Sequence, residues 1–304
     1  MRKILLINIH IMQLKHEPHY SIVKTRLQSI PDSFIILYRE SFGIQRTLTT
    51  KFRSYIIEMV IFLTHKKGGM RLSSFALRII ALVCMIIDHT GLALFPDLLL
   101  LRCIGRLSFP LYCFLLVQGY MHTRDVAAYG RRLALLAILS EIPYDLLIFG
   151  RTFSPADQNV LFSLLLGLMA LYSADLLREK PLHAGLTVCS LCLCAMAANV
   201  SYGWLGIALC LSMRYSLENR RRLVIGAGGF LLVYSLTLML SGVASYWALT
   251  SLCALFSLVP MLIYNGKKGF RHPTISFLFY AAYPVHIAAL VTLRMMHVVP
   301  PGFF

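Results

Sequence analysis

From Phe75 to Phe95 the chain stays apolar for long enough to cross a bilayer, yet it carries an acid and a base side by side, Asp88 and His89. No other feature constrains the fold as much. A segment of this kind must satisfy its own backbone as a helix, and it must find partners for two ionisable side chains inside a helical bundle. Polar contacts between membrane helices are ordinarily made by Ser, Thr or Asn rather than by an acid beside a base. The pair therefore reads as a functional site. The competing reading is a packing contact in which the two groups satisfy each other and a neighbouring span.

The rest of the chain extends the same pattern. Of 304 residues 58% are hydrophobic and 14% charged, and mean hydropathy is +0.71, against about 45–50% apolar and about 25% charged in soluble domains. The expected fold is all-α, a polytopic membrane bundle. Apolar runs give about nine spans, with eight to ten possible: Phe75 to Phe95, Leu98 to Gln118, Leu133 to Phe149, Val160 to Leu177, Ala184 to Ala198, Trp204 to Tyr215, Leu223 to Leu240, Tyr246 to Tyr264 and Ile275 to Val298. The fifth and sixth are short, so one of them is a candidate re-entrant segment.

Net charge is +16, from 29 Lys+Arg against 13 Asp+Glu. In a soluble protein that excess would suggest nucleic acid as a partner, but here the cations cluster in alternate gaps between apolar runs. Arg71 and Arg78 open the first span, Arg124, Arg131 and Arg132 follow the second, Arg178 and Lys180 the fourth, Arg220 to Arg222 the sixth, and Lys267 and Lys268 the eighth. This is the positive-inside pattern, with anionic lipid as a secondary contact. It places the Met70 end in the cytoplasm and the carboxyl terminus outside a bacterial cytoplasmic membrane. Nucleic acid drops out as a partner.

Residues 1–69 read differently from 70–304. The longest apolar stretch of the leader, Tyr55 to Leu63, is broken by Glu58 and is too short to span. The expectation is an extension created by a misassigned start; the alternative is a basic tail lying on the anionic leaflet. The 8 cysteines lie in or beside apolar runs. Even Cys189, Cys192 and Cys194 have no nearby His or carboxylate to complete a metal site, so packing is their expected role and no metal is expected.

With this topology the unusual polar residues gather toward the outer side. Asp88 and His89 lie about 20 Å from the cytoplasmic start of their helix, at about 1.5 Å per residue. Arg102 and Arg106 share a face of the second span. The third carries Ser140-Glu141-Ile142-Pro143-Tyr144-Asp145, Asp157 and Asn159 precede the fourth, and the last brings Tyr283, Pro284 and His286 to mid-depth. Asp88, Glu141 and Asp145 are thus expected to oppose Arg102 and Arg106, either as a charge network that holds three helices in register or as part of a catalytic site. The histidine favours catalysis. An imidazole with an ordinary pKa of about 6.5 suits proton transfer at neutral pH, and the adjacent carboxylate is expected to orient it. No nucleophile elbow, P-loop, dinucleotide fingerprint or His-Glu-x-x-His helix is present.

From Met70 to about Val298 the chain resembles the TraX family of integral-membrane proteins, named for the pilin acetylase of F-type conjugative plasmids. The resemblance rests on Ile86-Ile87-Asp88-His89-Thr90-Gly91, Ile104-Gly105-Arg106-Leu107-Ser108-Phe109-Pro110, Ser140-Glu141-Ile142-Pro143-Tyr144-Asp145, Asn159-Val160-Leu161-Phe162, Tyr264-Asn265-Gly266-Lys267-Lys268-Gly269 and Tyr283-Pro284-Val285-His286, in family order. It implies kinship with membrane acyltransferases and transfer of an acetyl group from acetyl-CoA to a peptide amino terminus. Carried onto this sequence, Asp88, His89, Arg106, Glu141, Asp145 and His286 are the residues expected at the site. In the mechanism this suggests, Arg124, Arg131 and Arg132 hold the phosphates of acetyl-CoA. His89 takes a proton from the acceptor, and Arg106 or Tyr283 stabilises the oxyanion. The acceptor is expected on the outer face, as a peptide or a glycan. Two rivals stand beside this: an O-acyltransferase of an envelope sugar, and a transporter or assembly factor in which Asp88, His89 and Glu141 relay protons.

Overall fold

The computed structural model describes residues 71–240, 245–270 and 272–296. The reading of residues 1–69 as a separate extension, and the end of the last apolar run at Val298, lie outside them. The described chain is helical, and its local sequence explains where the helices start. Helix α1 (Ser74–Leu94) begins where the Ser73 hydroxyl accepts from Ala76 N–H. Helices α2 (Leu99–Gly105) and α3 (Ser108–His122) together form one apolar rod broken at Arg106 and Leu107. Asp125 caps α4 (Val126–Phe149) through Ala128 N–H at 2.7 Å, and Gly150 ends it with φ +67°. Asn159 caps α5 (Val160–Leu176), and Pro181 occupies the first turn of α6 (Pro181–Ala197).

Helix α7 (Gly203–Ser216) follows, and α8 (Arg220–Leu223) continues through a π turn at Val224–Gly228 into α9 (Gly229–Leu240). Helix α10 (Ser245–Leu252) continues through a tighter 3-10 turn (Cys253–Ser257) into α11 (Leu258–Leu262), and α12 (Pro273–Met295) is the last element. Among the described residues four stretches are long and apolar enough to cross a membrane: Ser74–Leu94, Leu99–His122, Arg220–Leu240 and Thr274–Met295. Val160–Leu176, Pro181–Ala197 and Leu249–Leu262 are shorter apolar helices. Many large apolar side chains point outward, including Ile138, Leu139, Ile142 and Leu193. On a soluble protein that would be a liability; on a membrane protein it is the lipid-facing surface.

Helix α3 is the hub of the bundle, packing against α1, α5 and α7, while α12 packs against α1 and α4. The core between them is built on Leu77, Leu111, Phe114, Val117, Leu168, Leu209 and Ile287. Main-chain hydrogen bonds tie loops together at both ends. Gln158 N–H donates to Asn199 O at 2.9 Å and Ser201 N–H to Gln158 O at 3.0 Å, so α5 and α7 start side by side, and α6 runs back from the end of α5 to the start of α7. At the opposite end Tyr120 and Arg214 both reach Asp175, which gathers the last turns of α3, α5 and α7. Leu72 exchanges main-chain bonds with Ile263 and Asn265, which sets the start of α1 against the end of α11.

Candidate active site

Asp88 faces α2. Its Oδ2 pairs with Arg102 at 2.8 Å, and the same guanidinium nitrogen donates to the Asp88 main-chain carbonyl at 3.2 Å. The Arg102 side chain is only 5% exposed, so this is an ion pair inside the bundle. One turn later on α2, a Cβ on Gly105 would run into the Cβ and carboxyl of Asp88. The close approach of α1 and α2 at the acid therefore requires glycine. Gly105→Ala should destabilise the protein by about 1–3 kcal/mol, the usual cost of forcing extra volume into a packed contact. Gly130 on α4 has room for a methyl, with the Leu168 side chain 3.8 Å away, and Gly130→Ala should gain up to about 1 kcal/mol of helix propensity. Thermal unfolding of both variants in one detergent checks the contrast.

His89, one residue on, is rotated by about 100° around α1 and meets α12 instead. Its Nδ1 lies 2.8 Å from Nε2 of His286, and Nδ1 of His286 lies 2.7 Å from Ala282 O. A carbonyl can only accept, so His286 carries its proton on Nδ1. With both rings neutral, His286 Nε2 then accepts from His89 Nδ1–H, and His89 Nε2 holds the free lone pair. The Tyr283 ring meets His89 and His286 edge-on, with centroids 6.0 and 5.7 Å apart. Tyr283 is 4% exposed, and its hydroxyl has no hydrogen-bond partner among the described residues. His89 is thus oriented by His286, whereas the sequence suggested Asp88 for that part.

Glu141 and Asp145 sit one turn apart on α4 and both hold the loop that follows it. Glu141 Oε2 accepts from the main-chain N–H of Asn159 at 3.2 Å and from its side-chain amide. Asp145, fully buried, accepts from Ser154 N–H at 2.7 Å. Of the three acids expected to oppose two arginines, the structure pairs Asp88 with Arg102 and gives the other two to loop amides. Arg106 turns toward α7, where it donates to the Tyr202 hydroxyl at 3.5 Å, while remaining within electrostatic reach of Asp88.

That turn brings Arg106 to a cavity of about 390 Å³. Asp157, Ser201, Tyr202, Tyr234 and Ser251 are polar residues of its lining, and Phe109, Leu205, Phe230 and Leu238 are among the apolar ones. Tyr202 stacks on Phe109 with centroids 3.8 Å apart and the planes 7° from parallel. It holds this place with φ +62°, in the left-handed region that a non-glycine residue seldom adopts, and Asn199 nearby has φ +50°. Asp157 accepts from Tyr144 OH at 2.6 Å and from Ser201 Oγ at 3.0 and 3.1 Å. Partial burial pushes its carboxyl above the usual carboxylate range, and those two hydroxyls pull in the other direction. Tyr283 lies within electrostatic reach of Asp157, Glu141 and Tyr144.

By sequence Arg102 is expected opposite the acids and Asp157 is noted only as a polar residue before the fourth span; Ser201 was not picked out. The signal available for Asp157 was its place two residues before a helix cap, in a gap almost bare of charge. Arg124, Arg131 and Arg132 are exposed at the other end of α4, with the Arg132 guanidinium 5.9 Å from the Tyr129 ring centroid. Among the described residues no cluster of three or more His, Cys, Asp or Glu is placed to hold a metal ion.

A family model described as "TraX protein" matches residues 73–294. The "Probable fimbrial assembly protein FimC, serogroup H1" of Dichelobacter nodosus is 31% identical over 242 residues, covering 73% of this chain and 96% of that protein. The "Uncharacterized protein RP591" of Rickettsia prowazekii (strain Madrid E) is 29% identical over 96 residues, which covers 32% of this chain and 35% of that protein. No solved structure matches the chain.

Proposed function

The chain belongs to the TraX family, and from that premise we propose that it is an integral-membrane acetyltransferase of the bacterial cytoplasmic membrane. It moves an acetyl group from acetyl-CoA to an acceptor on the outer side, a pilin-like peptide amino terminus. The observation that carries this reading is the His89–His286 hydrogen bond, fixed by the Ala282 carbonyl, which leaves a lone pair on His89 Nε2. The acceptor nitrogen attacks the thioester carbonyl carbon as its proton passes to His89 Nε2. The carbon–sulfur bond breaks, and that proton leaves with the CoA thiolate. The Tyr283 hydroxyl, buried beside both rings, is a preorganised donor for the developing oxyanion, and Arg106 is the alternative.

The donor enters from the cytoplasmic end, its phosphates on Arg124, Arg131 and Arg132. Its pantetheine arm spans the distance of about 20 Å to the depth of His89. Nine crossings, with the Met70 end inside and the carboxyl terminus outside, fit this path. Two observations support that orientation: basic residues flank the Asp175 end of the bundle, and the loops at residues 151–158 and 199–201 share the other. A fimbrial subunit as acceptor draws support from the name of the Dichelobacter relative.

Topology makes a separate prediction. Asn199, Arg221 and Lys268 are all exposed. Over the background of the native thiols, Asn199→Cys should react in intact cells with an impermeant maleimide, and Arg221→Cys and Lys268→Cys should not. The opposite pattern would move the site and its acceptor to the cytoplasmic side. For the activity, mass spectrometry of envelope peptides and glycans is compared between the parent, a deletion strain and the deletion complemented with His89→Ala. One or more amino termini acetylated only in the parent is the expected result. Loss of acetyl groups from a sugar instead would change the acceptor, and identical profiles in all three strains would contradict the reading.

A further inference from the structure

The cavity lined by Arg106 carries both charged and apolar groups, which bears on what the acceptor must be. One of them is a carboxylate, Asp157, held by Tyr144 OH and Ser201 Oγ. A carboxylate can accept about four hydrogen bonds, and these two hydroxyls together with the Gln158 main-chain N–H leave part of that capacity on the residue that lines the cavity. The Arg106 guanidinium lines the same cavity, already turned toward Tyr202 OH. Leu205, Phe230 and Leu238 line the same space and offer no polar side-chain group. Tyr202 spends one ring face on Phe109, so that face is closed to a stacking sugar.

We propose that this cavity is a docking subsite for the first residue of the acceptor and that Asp157 is its specificity-determining residue, holding a primary ammonium in preference to a neutral hydroxyl; the ammonium gives up one proton to solvent and leaves Asp157 before the neutral amine reaches His89. The inference rests on the acetyl-transfer reading above and deepens it. A neutral sugar brings no cation to Asp157 and would set some of its hydroxyls against Leu205, Phe230 and Leu238. An amino-terminal residue matches both kinds of group: its ammonium meets Asp157, its carbonyl meets Arg106, and its apolar side chain fills the remainder. The volume suits one or two residues rather than a long segment. Rigid support also favours the assignment. The loop carrying Asp157 is bonded to the loop carrying Ser201 through two main-chain hydrogen bonds, and Asp145 and Glu141 hold the chain on either side of Asp157. A binding carboxylate placed this way is preorganised at little entropic cost on docking.

The test is a binding measurement without acetyl-CoA, on the full chain purified into lipid nanodiscs. The probe is a tripeptide amide of alanine followed by two leucines, labelled with a fluorophore at its carboxyl end, used with a free amino terminus and in its N-acetylated form. Binding to empty nanodiscs is subtracted. The wild type should bind the free amine about tenfold or more tightly than the acetylated form, as expected when one partner of a desolvated charge pair is lost. Asp157→Asn should reduce that preference to about twofold or less, and Asp157→Glu, which keeps the charge, should retain part of it. Equal binding of the two probes by wild type, an unchanged preference in Asp157→Asn, or displacement of the probe by N-acetylglucosamine would each overturn the assignment. If Asp157→Asn does not fold, the wild-type comparison and Asp157→Glu still decide. Acetyl-CoA consumption is measured separately on the same preparation, so a protein that discriminates between the probes but never consumes the donor refutes the transfer reading and not this one.

Discussion

His89→Ala will lower acetyl transfer by about 10²–10⁴-fold, the usual consequence of removing a general base, while the protein still inserts and folds. The substitution deletes a neutral ring and leaves no charge unpaired, since Asp88 keeps its partner Arg102. His286→Ala will behave differently in degree. In the proposed mechanism its ring fixes the tautomer of His89 rather than handling the acceptor's proton, so the expected loss is smaller than for His89→Ala. Rates measured at saturating acetyl-CoA on preparations matched for thermal stability check both expectations. Near-normal turnover in folded His89→Ala removes the residue from the base's role, and a larger loss for His286→Ala than for His89→Ala would exchange the two assignments.

Arg102→Ala will be the most destabilising single change at the site. It strips a buried carboxylate of its ion pair and its main-chain carbonyl of a donor, and breaking such a pair from one side costs about 3–5 kcal/mol. Adding Asp88→Asn should restore much of the loss, because the amide no longer leaves a charge stranded. The measurement is the unfolding midpoint in detergent of the wild type, both single variants and the double. If the double variant is no more stable than Arg102→Ala alone, the Asp88–Arg102 pair does not hold α1 to α2.

The helices were legible because apolar runs, caps and breakers act locally. Ser73, Asp125, Asn159 and Pro181 stand where their chemistry predicts helix starts, and a helix covers each apolar run as far as the described residues extend. The partners within the site were legible only in part: Asp88 was expected to oppose an arginine and does meet Arg102, but the rest were not. Asp88 and His89 are neighbours in sequence, which suggested that one orients the other. Residues i and i+1 on a helix point in different directions, however, and so they address different neighbours. Asp88 found Arg102 on α2, and His89 found His286, 197 residues away. Likewise Glu141 and Asp145 looked like half of a charge network because arginines lie at similar depth. Their lone pairs went instead to Asn159 and Ser154, in a loop that folds back on α4 after Gly150. The cavity was hidden for the same reason, since it exists only once the starts of α5 and α7 are tied together.

The central claim is that this bundle consumes acetyl-CoA through His89. Radiolabelled acetyl-CoA incubated with the purified full chain, with and without a peptide bearing a free amino terminus, tests it most directly. Label should pass to the peptide with wild type and not with His89→Ala, and slow hydrolysis should remain when the peptide is omitted. A folded wild-type protein that neither binds the donor nor releases free CoA under either condition would contradict the account.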